Sequence, residues 1–192
     1  MALDPDVIGE AALAIVQQAG LAGLTMRGVS TALGVAPGAL YWHVESKQEL
    51  LALLAARILA AAPFADGSPV APGAEDGAAL EDGRRDVRRL AHDLRASLLG
   101  VRDGAEIVSF ARALRPDSPA PHAVFEAALA GPAGAHAAWA ARTIVHFILG
   151  SVAEEQNRAE LVRAGITEAD SSDAAEAFRY GVDVILAGVG LR

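Results

Sequence analysis

The stretch from Thr25 to Glu49, TMRGVSTALGVAPGALYWHVESKQE, packs its helix start and stop signals close together. Thr25 fits an N-cap, and the helix after it, about Met26 to Leu33, buries Val29, Ala32 and Leu33. Gly34 stops that helix. Pro37 opens a second short helix that ends near His43. Only Gly34, Val35 and Ala36 lie between the two. Two short helices joined by a tight turn with glycine form a helix-turn-helix. Ser46 and Glu49 then make a capping box for a longer helix running toward Ala62, with Leu50, Leu51, Leu53, Leu54 and Ile58 on it.

The rest of the chain also reads as helix. Alanine is abundant, β-branched residues do not alternate, and the expected fold class is all-α. Asp4 and Pro5 start a first helix to about Ala19, with Val7, Ile8, Ala11, Ala12, Ile15 and Val16 as its apolar stripe; Gly20 ends it, and Leu21 and Leu24 anchor the turn. After a Pro-, Gly- and acid-rich segment from Pro63 to Gly77, helices are expected near Leu80–Leu99, Ala105–Leu114, Ala123–Ala130, Ala135–Asn157 and Asp173–Val189. The breaks fall at Arg102–Gly104, at RPDSPAP and at Gly131-Pro132. The domain boundaries follow: a helix-turn-helix head over 1–47, a connecting helix over 48–62, and a second domain over 63–192.

The totals limit the function. The 192 residues suffice to bury a core. With no cysteine, disulfides and thiolate metal sites are excluded. No apolar run is long enough to span a membrane and the N-terminus lacks an export signal, so a cytoplasmic location with no membrane partner is expected. The net charge of −8 argues against a protein that coats nucleic acid by bulk electrostatics. Arg27 and Lys47 against Asp4, Asp6, Glu10 and Glu45 leave residues 1–47 at −2. The head is thus a poor generic DNA binder, but specific binding through few phosphate contacts and helix N-termini stays open.

Tyr41, Trp42 and His43 are adjacent, and neighbouring helical residues point about 100° apart, so at least one ring is exposed. The plain alternative is that Tyr41 and Trp42 fill the core of a small helical domain. As a recognition helix, the second short helix presents Pro37, Gly38 and Ala39, whose small side chains let the backbone approach bases, while Leu40 points inward. Tyr41 and His43 suit phosphates, Trp42 suits a sugar or a donated N–H, and Lys47 suits a phosphate. Arg27 suits bidentate reading of a guanine.

The sequence GLTMRGVSTALGVAPGALYWHVESKQELL closely resembles the DNA-binding head of the TetR family of one-component transcriptional repressors. RDGAEIV from Arg102, HFILGSVAEEQ from His146 and AFRYGVDVILAGV from Ala177 are similar to parts of the tetracycline repressor's effector domain. The resemblance implies a homodimer on a palindromic double-stranded DNA operator, released by a small-molecule effector. It places Thr25, Arg27, Pro37, Gly38, Ala39, Tyr41, Trp42, His43 and Lys47 at the DNA. The last long helices would pair across a two-fold axis, with Phe147, Gly150 and Ser151 packing against Val182, Ile185 and Leu186.

The departures bear on the effector. Where the tetracycline repressor uses two histidines and an asparagine for its magnesium–drug chelate, this chain has Val108, Pro63 and Leu90. Glu154 keeps a carboxylate, and one carboxylate does not make a magnesium site. A largely apolar effector among Leu90, Leu94, Val108, Ala138, Arg142 and Val145 is expected, with Arg142 or Glu154 for one polar group, and with no metal or cofactor. His136, His146, Glu154 and Glu155 read as structural or solvated groups. The arginines from Arg84 to Arg89 fit an acidic ligand or, more often, a solvated face. Trp139 fits a pocket wall or the bundle core equally. No catalytic set is visible; the competing reading is a helical small-molecule binding protein or enzyme that does not read DNA.

Overall fold

The computed structural model describes residues 3–62, 77–115, 121–168 and 173–189, with the backbone alone for 77–82. The segment from Pro63, which the sequence marks as a loop, lies outside the described residues up to residue 76. Among the described residues the regular structure is entirely helical. None of these helices is long and apolar enough to cross a membrane. The chain forms two compact units, Met1–Ala61 with Ser97–Ser118, and Ala62–Ala96 with Pro119–Arg192.

In the first unit, α1 spans Pro5–Gly23. The Asp4 carboxylate accepts the Val7 N–H at 2.9 Å, which satisfies one of the orphan donors at the helix start. The helix breaks at Gly20, whose φ of 70° is the left-handed region glycine tolerates, and resumes for one turn to Gly23. The end at Ala19 expected from sequence is thus a kink. α2, Met26–Leu33, starts on Thr25, whose hydroxyl accepts the Gly28 N–H at 3.0 Å, and stops on left-handed Gly34. Its buried face carries Val29 and Ser30. Ala32 is exposed, contrary to expectation, because the packed face runs through 26, 29, 30 and 33. Ser30 is tolerated there since its hydroxyl donates to the Arg27 carbonyl at 3.0 Å.

α3, Pro37–Tyr41, is held on the core by fully buried Leu40, and α4 spans Lys47–Ala60. The capping box at α4 is shifted: Ser46 accepts the Glu49 N–H at 3.2 Å, but the Glu49 carboxylate accepts from Glu45 rather than from Ser46. Arg57 of α4 pairs with Asp6 at 2.6 Å and Glu10 at 3.6 Å, which fixes α4 on α1. α6, Gly104–Leu114, packs along α4 and completes this unit.

The second unit contains α5 (Gly77–Leu99) as far as Ala96, α7 (His122–Ala133), α8 (Ala137–Arg163) and α9 (Ala174–Gly188). α7 runs through Gly131-Pro132, where the sequence predicts a break. The chain turns instead at Gly134, with φ 51°, through a single 3-10 turn to His136. Phe125, Leu129, Ile144, Ile148, Phe178 and Leu186 are fully buried. α5 is tied to α9 by Arg88–Asp183 at 2.6 Å and to α8 by Arg95–Glu155 at 2.7 Å. At the start of α9 the Asp173 carboxylate accepts the Glu176 N–H. Hydrogen bonding with Glu176 holds the Asp173 carboxyl below its ordinary value and raises that of Glu176.

Candidate functional site

The helix-turn-helix presents one polar, aromatic edge. Leu40 and Val44 turn into the core, and the residues between them turn outward. Trp42 is 89 % exposed and Tyr41 47 % exposed, so neither ring fills the core. His43 lies beside them, exposed. A tryptophan left in water forgoes the burial of its large apolar surface, so packing within the chain does not explain it. Pro37, Gly38 and Ala39 are exposed at the start of α3, and a Cβ added at Gly38 meets nothing within 4 Å. Thr25 and Arg27 are exposed at the start of α2, and Lys47 is half-buried at the start of α4. The sequence-predicted positions therefore all lie in one unit, on the first turns of three consecutive helices and the loop after α3.

The head's mount on α6 was not foreseen from sequence. Asp103 has φ 57° and its carboxylate accepts the Leu21 N–H at 2.6 Å, directly after the Gly20 kink. The Gln17 amide donates to the Gly100 carbonyl at 2.8 Å and accepts the Arg102 N–H at 3.2 Å, and Arg102 donates to the Gln18 carbonyl at 3.1 Å. The break at Arg102–Gly104 in the sequence was the only local sign of this joint.

The predicted effector residues fall in both units. Leu90, Leu94 and Val145 are buried in the core of the second unit, and Val108 is buried in the first. Ala138, Arg142 and Glu154 lie exposed on α8. A cleft of about 640 Å³ between the end of α8 and the start of α9 takes in Glu154, Glu155, Arg158 and Asp173, and none of the aliphatic set. Arg95 is one inward cation: its guanidinium lies 5.3 Å from the Phe178 ring, and its Nε is buried without an acceptor among the described residues. Arg95 was not foreseen from sequence; its spacing with Ala91, Leu94 and Leu98, all buried, is the signal that could have placed it on the packed face.

Other expectations are corrected. Trp139 is 72 % exposed, so within one chain it is neither pocket wall nor core. Val182 and Leu186 are buried in their own unit, and Phe147 stacks on Phe178 at 5.7 Å and fills the space over Gly181. Gly150 is exposed, and Ser151 and Ile185 are half-buried. The large outward side chains of α9 are Tyr180 and Val184, because those two positions follow the opposite helical phase to Phe178 and Val182. Arg88 and Arg89 are engaged by Asp183, Asp86 and Asp93. Among the described residues no three His, Asp or Glu side chains are grouped to hold a metal ion.

Two short helices joined by a glycine turn, with an exposed aromatic edge and a separate helical unit after them, have the form of a helix-turn-helix head followed by a second domain. Residues 8–54 match the family model of bacterial regulatory proteins of the tetR family, and residues 78–169 match the tetracyclin repressor-like C-terminal domain. The chain is 32 % identical to the class A tetracycline repressor from transposon 1721 of Escherichia coli, covering 99 % of this chain and 92 % of the relative. Among solved structures it is similar to Mycobacterium smegmatis BioQ, with 32 % identity, a TM-score of 0.80, and 99 % of this chain and 98 % of that one covered. BioQ with its natural double-stranded DNA operator matches at 30 % identity and a TM-score of 0.73 over the whole of both chains. The chain belongs to the TetR family of transcriptional regulators, with a C-terminal domain like that of the tetracycline repressor.

Proposed function

We propose that the protein is a dimeric cytoplasmic repressor that binds a palindromic operator through residues 1–47 and is released by a small, largely apolar molecule bound within residues 63–192. Residues 48–62 connect the two functions. The observation that carries the reading is the exposed Tyr41–Trp42–His43 row at the end of α3, a helix whose only buried side chain is Leu40. The solved complex of the similar BioQ with its operator supports it.

Arg27 reads a base, and Lys47, Tyr41 and His43 hold phosphates. Thr25 adds a neutral contact, Trp42 covers a sugar, and Pro37, Gly38 and Ala39 let the backbone come close. Arg57 is occupied by Asp6 and Glu10, so each head commits two cations to DNA. With Arg27 on a base, the two Lys47 side chains of a dimer neutralise about two phosphates, which corresponds to a logarithmic salt slope of about −2. Arg27→Ala is expected to cost about 1–3 kcal/mol and relax specificity at one base pair, whereas Lys47→Ala weakens all sequences alike and flattens the salt slope by about one per lost contact. Titration of operator and scrambled DNA at several salt concentrations distinguishes these roles. Equal loss on both DNAs for Arg27→Ala removes it as the base reader.

The effector is not magnesium–tetracycline. Val108 and Leu90, both buried aliphatic residues, stand where that chelate needs an imidazole and an amide, and a buried ligand group left unpaired costs roughly 1–3 kcal/mol. Leu90, Leu94 and Val145 supply an apolar wall in the second unit, and Arg95, though paired with Glu155, keeps a buried Nε that could donate to a polar end of the effector.

A further inference from the structure

A cleft of about 450 Å³ opens within the first unit, and its lining includes none of the residues assigned to the effector. Its walls are the last turn of α1 (Leu21), the first turns of α4 (Lys47, Leu51) and the outward side of α6 (Asp103, Glu106, Phe110). That volume is in the range of small-molecule sites.

Among the lining residues Asp103 and Glu106 are anionic and Lys47 is cationic, and the Arg102 guanidinium stands near the Asp103 carboxylate beside Gly20, which leaves Glu106 as the carboxylate without a counter-charge. The Asp103 carboxylate is fixed in place by the Leu21 N–H and cannot swing away. Among the described residues Glu106 and Lys47 have no ion-pair partner, so the cleft is not closed by a bridge between them. Glu106 and Phe110 are four residues apart on α6 and share one face. Phe110 is 42 % exposed, an unusual position for a phenyl ring unless something covers it. A carboxylate and a ring face at this spacing form a seat for a cation, by ion pairing on one side and cation–π attraction on the other. Leu21 and Leu51 supply an apolar floor for the body attached to that cation.

We propose that this cleft is a binding site for an organic amine: an ammonium group held by Glu106 and Asp103 against the Phe110 ring, with an apolar body lying on Leu21 and Leu51. The cleft shares no lining residue with the set assigned to the effector, and its occupation does not depend on the operator reading. Its consequence for the operator does depend on that reading. A second cation in the cleft repels the Lys47 ammonium, which is assigned to a phosphate, so amine binding is expected to weaken DNA binding modestly.

The test uses the full-length protein labelled with 15N and three probes of one size: 2-phenylethylamine, neutral 2-phenylethanol and anionic 3-phenylpropionate. The amine is expected to give saturable amide shifts centred on Leu21, Gln48 and Phe110, and the anion none there. Glu106→Gln, an exposed helical position, should weaken the amine at least fivefold with unchanged circular dichroism. Lys47→Gln, which removes the competing cation, should strengthen it. Equal binding of all three probes, shifts centred elsewhere, or an unchanged affinity in Glu106→Gln each overturns the proposal. Amine binding without an effect on operator affinity leaves the site standing and removes Lys47 from the phosphate contacts.

Discussion

Val184→Asp is expected to leave each chain folded while separating the two protomers and lowering operator affinity by at least a hundredfold. Val184 is 52 % exposed, and Tyr180, one turn earlier on α9, is 71 % exposed. Between and beside them lie half-buried Gly181 and Ile185 and exposed Gly188. α8 turns Trp139, Thr143, His146 and Gly150 outward along its own length. Apolar and small residues grouped on the outer faces of two helices mark a contact surface. In a two-fold dimer each substitution occurs twice, so two carboxylates are placed in one interface. A buried charge without a partner costs several kcal/mol, and every 1.4 kcal/mol is a factor of ten. A monomer offers one head to a two-half-site operator and loses the gain of binding both. Val184→Thr serves as the conservative control. Sedimentation at micromolar concentration checks the assembly, and a mobility shift checks the DNA. The same substitution at Leu186 is uninformative, because Leu186 is buried within its own unit and a carboxylate there unfolds the chain.

Gly104→Ala should destabilise the protein by about 2–3 kcal/mol, near the upper end of overpacking costs. Gly104 is buried at the start of α6, directly after left-handed Asp103. A Cβ there would collide with the Leu98 carbonyl, a backbone group that cannot move aside like a flexible side chain. Relief requires the turn between α5 and α6 to open, and that turn carries the Gly100, Arg102 and Asp103 hydrogen bonds to α1. For a chain of this length the melting temperature should fall by roughly 5–10 °C. Gly38→Ala is the contrasting substitution. Nothing lies within 4 Å of its Cβ, so stability should be nearly unchanged while operator binding weakens, since the added methyl stands between α3 and the DNA. Scanning calorimetry of both variants checks the pair; equal melting temperatures would show that the turn at Gly104 is not closely packed.

The elements with local chemical punctuation were legible in the sequence. Asp4, Thr25 and Ser46 are N-caps, and Gly34 is a left-handed stop, because each acts on backbone groups within three or four residues. Helix phase was harder where a helix has no polar face. α9 carries apolar residues on several sides, so Val182 and Leu186 were indistinguishable from Tyr180 and Val184 until packing chose between them. Ser30 in place of Ala32 is the same error in α2, concealed because the Ser30 hydroxyl is satisfied by a carbonyl three residues back. Pro132 did not end α7: its own ring is buried within the helix, and the chain turns only at Gly134. The Asp103–Leu21 bond spans 82 positions and has no local signature at all. The set proposed to face DNA stands out for a related reason: exposed aromatics and small residues at a helix start are conspicuous where a core would need neither.

Selection of bound sites from a pool of random duplexes tests the central claim most directly. A dimeric reader of this fold should enrich a palindrome whose half-site centres lie about one helical turn apart, roughly 34–36 Å, and Arg27→Ala should blur one base pair in each half. Enrichment of no sequence, or of a lone half-site without its symmetric mate, would contradict the account.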